Sequence, residues 1–417
     1  MIKIAPPLSL VTVFIIAQVG KKHNNLYNSI MKDFDYLGAG EVYLDGACQS
    51  LRPRTVIDAV NNYYTKHNSC GERVKYKWGV ETDEKVENAR EEMLKYLKLP
   101  KRKYNTSFTL NTTYGINLIL SQIKSGEFKK VMTSEIEHNS PFLATMALAE
   151  RLDIPREVMK RNEDGTIPVA EYDFDRAIVV VNSASNFDGR KLLNLKELNK
   201  SVHKAGGILI IDAAQTLGHA ADVVRGIEVD AIITSAHKMY GPSLGIIVWR
   251  DDLLKHLVPS WLGGGMVDDV EREKYLLSAE GKEHRYTRFE SGLQAWGEIV
   301  GFGAALKWLE KVPKSAWRNF EKCYTDLYEF LRESDKVHLV NTQANPTMSF
   351  YVEGLDSHLL GSALSRENIM ARTGYFCVHY YLDHVLGLPP LVRFSLGLHN
   401  RPEDIEKVKK ILSSVVK

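Results

Sequence analysis

Between Lys130 and Trp249 the chain repeats one pattern: a short apolar run rich in β-branched residues, then a segment with helical spacing. The clearest runs are Ala177-Ile178-Val179-Val180-Val181, Ile208-Leu209-Ile210-Ile211, Ala231-Ile232-Ile233 and Gly245-Ile246-Ile247-Val248-Trp249. Each is apolar without interruption, so both faces of the strand must be covered. The stretches Ser140 to Arg151 and Leu195 to Ala205 have the helical spacing to supply that cover. Alternating units of this kind predict an α/β fold, a mostly parallel sheet with helices on both faces. At 417 residues there is room for one large domain and a smaller one.

The flanks complete the expected organisation. Val42-Tyr43-Leu44 reads as a short strand, and Pro53 to Lys66 and Glu81 to Leu97 read as helices. Phe108-Thr109-Leu110 reads as a strand that runs into a helix start at Asn111-Thr112-Thr113-Tyr114-Gly115. Glycines in Trp261-Leu262-Gly263-Gly264-Gly265-Met266 predict a loop. From Leu293 a long helix leads into a second unit with helices Trp317 to Glu333, Leu359 to Glu367 and Pro402 to Val416. Its strands are Thr347 to Val352 and Leu391 to Leu396. The expected division is an extension over 1–30, a large domain over 31–295 whose opening residues lie on the small domain, and a small α+β domain over 296–417. The extension carries an apolar run, Leu8 to Val19. That run is too short to span a bilayer and matches an export signal poorly, so the body is expected to begin near Met31.

With 54 basic against 52 acidic residues the net charge is +2. That balance leaves no footprint for nucleic acid and no basic tail for a membrane surface. The cysteines, Cys48, Cys70, Cys323 and Cys377, are spread without CxxC or zinc-site spacing. Such usage fits a reducing, cytoplasmic compartment with a thiol free to act as nucleophile, and it predicts no metal site.

Two runs carry the chemistry. Gly206-Gly207-Ile208-Leu209-Ile210-Ile211-Asp212 ends in an acid, and Asp230-Ala231-Ile232-Ile233-Thr234-Ser235 delivers Ala236-His237-Lys238. Ligands of open α/β sheets bind at the carboxyl ends of the strands. An acid and a lysine there suit pyridoxal phosphate: the lysine forms a Schiff base with the aldehyde and the acid pairs with the ring nitrogen. Taken singly, Asp212 reads as a cap and Lys238 as a solvated loop lysine. Together with the small Ala213-Ala214 and the donors Ser235 and His237, they read as a cofactor site. Thr112-Thr113 at a helix start offers amides and hydroxyls to an anion, and Gly115 permits close approach. His138 follows a strand end on the same sheet edge, where it can stack on a ring or shuttle a proton.

In these residues the chain resembles the class V aminotransferase fold, and within it the cysteine desulfurases, the type that includes selenocysteine lyases. The resemblance runs from about Tyr43 to the carboxyl end. It rests on Leu44-Asp45-Gly46-Ala47, Asn111-Thr112-Thr113, Glu137-His138-Asn139-Ser140, Ser185-Asn186-Phe187-Asp188-Gly189, Asp212-Ala213-Ala214-Gln215 and Ser235-Ala236-His237-Lys238. Arg288-Phe289-Glu290-Ser291-Gly292, Arg372-Thr373-Gly374-Tyr375-Phe376-Cys377 and Arg393-Phe394-Ser395-Leu396 continue it in order.

The resemblance implies a pyridoxal-phosphate-dependent transferase of fold type I, working as a homodimer on L-cysteine. Lys238 would hold the cofactor, Asp212 pair with its ring nitrogen, Gln215 bond its phenolic oxygen and His138 stack on the ring. Thr112, Thr113, Ser235 and His237 would hold the phosphate. Asn186 and Arg393, with Arg372 close by, would take the substrate carboxylate. Cys377 would take the sulfur as a persulfide and pass it to an acceptor protein or small molecule.

The chain departs from the family at Gly292-Leu293-Gln294, where Gly-Thr-Pro is usual. That threonine reaches the partner subunit's phosphate; Leu293 makes no such bond, which leaves the backbone amides of Ser291 and Gly292. The usual histidines before the cysteine are also missing from Gly374-Tyr375-Phe376-Cys377. This loop and Ser185-Asn186-Phe187-Asp188-Gly189-Arg190 resemble molybdenum-cofactor sulfurases, a group with no histidine before its lysine. Transamination, epimerisation and selenocysteine cleavage on the same scaffold remain open from sequence, as does a non-catalytic sulfur-transfer scaffold.

Overall fold

The computed structural model describes residues 30–71, 74–281 and 284–415. The apolar run Leu8 to Val19 lies outside them. Strand β1 (Val42–Tyr43) is followed by helices α1 (Arg54–Lys66) and α2 (Lys77–Leu97). The central sheet contains β2 (Tyr104–Thr109), β3 (Lys130–Ser134), β4 (Arg156–Met159), β5 (Ala177–Asn182), β6 (Ile208–Asp212), β7 (Ala231–Ser235) and β8 (Gly245–Arg250). Helices α3 (Thr112–Leu120), α4 (Asn139–Leu152) and α5 (Leu195–Lys204) connect its strands. The spatial order is β2-β8-β7-β6-β5-β3-β4. Pairing is parallel from β4 through β7 and antiparallel where β8 meets β7 and β2.

The uninterrupted apolar runs are buried on both faces, as their pattern requires. Val179, Val181, Leu209, Ile211 and Ile232 enter one core cluster. Their alternates Ile178, Val180, Ile208, Ile210 and Ile233 enter a second. Side chains alternate across a strand, so each run seals two helical layers against one sheet.

A second sheet, ordered β11-β12-β15-β14, is antiparallel throughout. It contains β11 (Val337–Leu339), β12 (Thr347–Val352), β14 (Arg372–Gly374) and β15 (Leu391–Ser395). Helices α6 (Trp296–Lys311), α7 (Lys314–Arg332), α8 (Ser357–Arg366) and α9 (Pro402–Val415) accompany it, with α6 packed on α1 and α2. The lead-in joins this end of the chain. Strand β1 pairs in parallel with β13 (Ile369–Met370), and the Gly46 amide donates to the Ser395 carbonyl at 3.0 Å.

Several elements escaped the sequence pattern. Strand β2 starts four residues before the expected Phe108, because Asn105, Thr106 and Ser107 break the apolar signal. All three polar residues find partners remote in sequence, Asn105 Nδ2 donating to Asp251 Oδ1 at 2.6 Å. Ser107 Oγ donates to the Tyr286 carbonyl at 2.8 Å and accepts from Trp249 Nε1 at 3.0 Å, and Thr106 Oγ1 donates to the Arg90 carbonyl at 3.2 Å. Edge strand β4 and the hairpin of β9 (Val267–Val270) and β10 (Tyr275–Leu277) carry too few apolar residues to register. Helix α2 begins at Lys77 rather than Glu81. No described helix is long and apolar enough to cross a membrane.

Candidate active site

The parallel pairing brings the ends of β3, β5, β6 and β7 to one sheet edge, with Ser134, Asn182, Asp212 and Ser235 as their last residues. Strand β2 runs the same way and ends beside them, while antiparallel β8 begins there at Gly245. A cavity of about 340 Å3 opens at this edge. The residues expected to bind cofactor and substrate or to take the sulfur within this chain line it: Thr112, Thr113, His138, Asn186, Asp212, Gln215, Ser235, His237, Lys238, Arg372, Cys377 and Arg393. The last three come from the second sheet and its loops, so the site is closed from the carboxyl-terminal side of the chain.

Asp212 is buried and accepts the Ala214 amide at 2.9 Å. Burial pushes its carboxyl up, against the pull of that amide and of Lys238. Lys238 is pushed down by burial, with Asp212 opposing and Arg393 adding to the shift. An amine driven towards its neutral form can act as nucleophile and base. His138 caps α4; its Nδ1 accepts the Ser140 amide at 3.0 Å, which leaves the hydrogen on Nε2. Burial, then Lys238 and Arg393, lower His138 to about 4, so the ring is neutral at neutral pH. His237 is likewise lowered to about 4, first by burial.

The helix start is held against the strand that carries the lysine. Ser235 Oγ accepts the Thr112 amide at 3.1 Å and lies 2.5 Å from Thr112 Oγ1. Thr113 Oγ1 bonds Ser140 Oγ at 2.6 Å, and Asn111 caps the helix through Tyr114 N at 2.9 Å. Gly115 turns away from the cavity: a Cβ there would meet Ile233 Cγ2 at 2.9 Å, so it serves helix-on-sheet packing rather than anion approach. Gly245 is the residue that admits the helix start. A Cβ on it would lie 2.6 Å from the Asn111 carbonyl carbon. Gly245→Ala is expected to lift the start of α3 off Ser235 and to destabilise the protein by about 1–3 kcal/mol, the usual range for overpacking. Urea unfolding checks it; an unchanged midpoint would mean that the backbone gives way at no cost.

The arginines are tied to a residue to which sequence assigned no role. Arg372 grips the Asp45 carboxylate through Nε at 3.0 Å and Nη2 at 2.7 Å. Arg393 Nη2 donates to the same carboxylate at 3.0 Å and Nη1 to the Asn186 carbonyl at 2.9 Å. Arg372 and Arg393, both expected near the substrate carboxylate, thus share Asp45 and line the cavity together. Arg393 is buried, and its Nε has no hydrogen-bond partner. Gln215 gives its amide to the Ala47 carbonyl at 2.7 Å, a bond that fixes the turn after β1 against the site.

Cys377 stands on a bent loop. Phe376 and Cys377 have φ of 51° and 60°, and Gly374 has φ of 117°. The left-handed region costs an L residue roughly 1–2 kcal/mol, so the loop needs outside support. Asn186 Nδ2 donates to the Phe376 carbonyl and the Asn139 amide to the Cys377 carbonyl, both at 2.6 Å. Phe376 is buried beneath the Arg393 guanidinium, 4.8 Å from its ring centre, while Cys377 is exposed. His379 bonds Asn139 Nδ2 at 3.2 Å and does not line the cavity.

The model of the aminotransferase class-V family matches residues 42–408. The chain belongs to that family. A cysteine desulfurase of Synechococcus elongatus is 28% identical over 395 residues, 91% of this chain and 62% of that protein, so the chain spans less than two thirds of it. A cysteine desulfurase of Pectobacterium atrosepticum is 27% identical over 379 residues, covering 88% of this chain and 91% of that one. Among solved structures, the apo cysteine desulfurase of Thermococcus onnurineus superposes with a TM-score of 0.83 at 25% identity, over 93% of this chain and 98% of that one. The S-sulfonic acid form of an Escherichia coli cysteine desulfurase superposes at 0.84 with 22% identity, over 94% and 98%, and shares the fold.

Proposed function

We propose that this class-V family member is a pyridoxal-phosphate-dependent cysteine desulfurase, taking sulfur from L-cysteine as a Cys377 persulfide and releasing L-alanine. The observation that carries the reading is one cavity lined by Lys238, Asp212, Arg393 and an exposed Cys377. The donor set suits the cofactor: a buried acid for a ring nitrogen, a lysine for an aldehyde, and Thr112, Thr113, Ser235 and His237 grouped at a helix start for a phosphate. The unpartnered Arg393 Nε, with the unpartnered Oδ1 of buried Asn182, leaves polar capacity for ligands in the same cavity.

When bound, the cofactor supplies an electron sink for charge developing at the substrate Cα. Asp212 would pair with the ring nitrogen and the neutral His138 would lie against the ring. Arg393 receives the substrate carboxylate. The Lys238 amine, pushed towards its neutral form by burial, removes the Cα proton. The Cys377 thiolate attacks the substrate sulfur; an S–S bond forms as the C–S bond breaks, and the carbon fragment takes up protons to become alanine. Relatives named cysteine desulfurase, and solved structures so named, support this choice over transamination.

Incubating the cofactor-loaded protein with L-cysteine is expected to release alanine and to add one sulfur to the Cys377 peptide. Cys377→Ser is expected to reduce alanine release to background. Full turnover of that variant would move the assignment to another class-V reaction.

The working unit is a homodimer of the reducing cytoplasm, with a sulfur-acceptor protein or small thiol as second partner. Trp261, Leu262 and Leu293 are exposed on two loops joined by the Gly292 amide and Gly264 carbonyl at 2.8 Å. Trp261 also meets Tyr114 of α3, ring centres 5.9 Å apart, so this apolar surface adjoins the cofactor end of the helix. Leu293→Glu is expected to shift the protein from dimer to monomer and to lower cofactor retention. Light scattering with cofactor absorbance checks both, and an unchanged dimer would place the contact elsewhere.

A further inference from the structure

Cys48 has no part in the reaction above, yet it lines the same cavity as Cys377, Lys238 and Arg393. It is half-buried, whereas Cys377 is exposed. Its backbone is fixed. The Cys48 amide donates to the Asp45 carbonyl at 3.0 Å, and the residue before it is held by Gln215 on its carbonyl and by Ser395 Oγ at 2.9 Å on its amide. Lys238, Arg372 and Arg393 line that cavity with the two thiols. A half-buried thiol that opens into a cavity with cationic side chains has the access a nucleophile needs. Arg393, buried and with an unpartnered Nε, lines the same cavity. The other two cysteines are placed differently: neither Cys70 nor the buried Cys323, whose thiol burial pushes up to about 12, lines the cavity.

The geometry points to Cys48 as an internal acceptor that takes the outer sulfur from the Cys377 persulfide. The inference rests on the desulfurase reading and extends it. The Cys48 thiolate attacks the outer sulfur, a new S–S bond forms at Cys48 Sγ, and the bond to Cys377 Sγ breaks. The electron pair returns to Cys377 as thiolate, so no oxidant or reductant is consumed. The persulfide lengthens the Cys377 side chain by about 2 Å, the length of an S–S bond, which extends its reach within the cavity that both thiols line. Cys48, on a turn tied down at both sides, is the stationary partner. The relay frees Cys377 for a second substrate while the first sulfur is still on the chain.

The test is a peptide map of the cofactor-loaded protein after excess L-cysteine and alkylation, with alanine measured in parallel. The expected result is one added sulfur on the Cys377 peptide early and on the Cys48 peptide later. Cys48→Ser is expected to cut protein-bound sulfane sulfur roughly two-fold, since one of two thiols remains to hold it. Cys377→Ser is expected to leave Cys48 unmodified. Sulfur confined to Cys377 in the unaltered protein overturns the relay while leaving the desulfurase reading intact. Equal labelling of Cys48 in Cys377→Ser also overturns it, because the sulfur would then arrive from solution. A Cys48–Cys377 disulfide with free sulfide and no sulfur on Cys48 overturns it too. Absence of both alanine and persulfide overturns the desulfurase reading, and the relay with it. The map of the unaltered protein decides the question even if a variant fails to fold.

Discussion

Lys238→Ala is expected to lower alanine release from L-cysteine on the order of a thousand-fold, the middle of the range for losing a proton-transfer group. The loss is expected in kcat, because the carboxylate site at Arg393 stays intact. Borohydride reduction of the unaltered, cofactor-loaded protein is expected to fix the cofactor to the peptide containing Lys238, and to fix none in the variant. Two features support so large an effect. Lys238 is the lysine that lines the cavity, and burial drives its amine towards the neutral form that both roles require. Gly218 lets the lysine-bearing turn pack closely, since a Cβ there would meet the Lys238 carbonyl oxygen at 2.3 Å. A variant that kept a tenth of the activity would remove Lys238 from the reaction.

The largest effect on stability is expected at Glu290. Its carboxylate is buried and receives Arg90 at both ends, Nη1 to Oε1 at 2.5 Å and Nη2 to Oε2 at 2.7 Å. The Phe108 amide donates to Oε1 at 2.5 Å as well. Arg90 in turn donates to the Thr106 carbonyl at 2.7 Å and lies 3.7 Å from the ring centre of Tyr286. The pair therefore clamps helix α2 to edge strand β2. Glu290→Gln leaves the buried Arg90 guanidinium with only the half-exposed Glu87 carboxylate on Nε at 3.0 Å, and sets an amide NH2 against it. Removing one partner of a buried pair costs about 3–5 kcal/mol, to be read as a lower urea midpoint. A change under about 1 kcal/mol, the scale of an exposed pair, would show that water reaches the site and screens the charge.

The fold and the chemical class were legible from local pattern. Two-sided apolar runs leave a β/α layered sheet as the way to bury them, and the parallel pairing then sends their polar last residues to one edge. Asp212 and Lys238 could be read together for that reason. Other features escaped because their cause lies far along the chain. Strand β2 carries polar residues that are satisfied by Arg90, Trp249 and Tyr286. Glu290 could be quoted as part of a motif but not assigned a task, since its partner Arg90 is remote in sequence.

By itself, then, the sequence determined the parallel core and which strand ends present an acid, a histidine and a lysine, because strand periodicity and burial are local properties. Only the tertiary structure decided what faces them. The lead-in joins the carboxyl-terminal sheet, and this places Asp45 between Arg372 and Arg393 and brings Cys48 into the cavity that Cys377 also lines. Pairing between chain ends that far apart follows from packing the whole core, and no pattern within either segment encodes it.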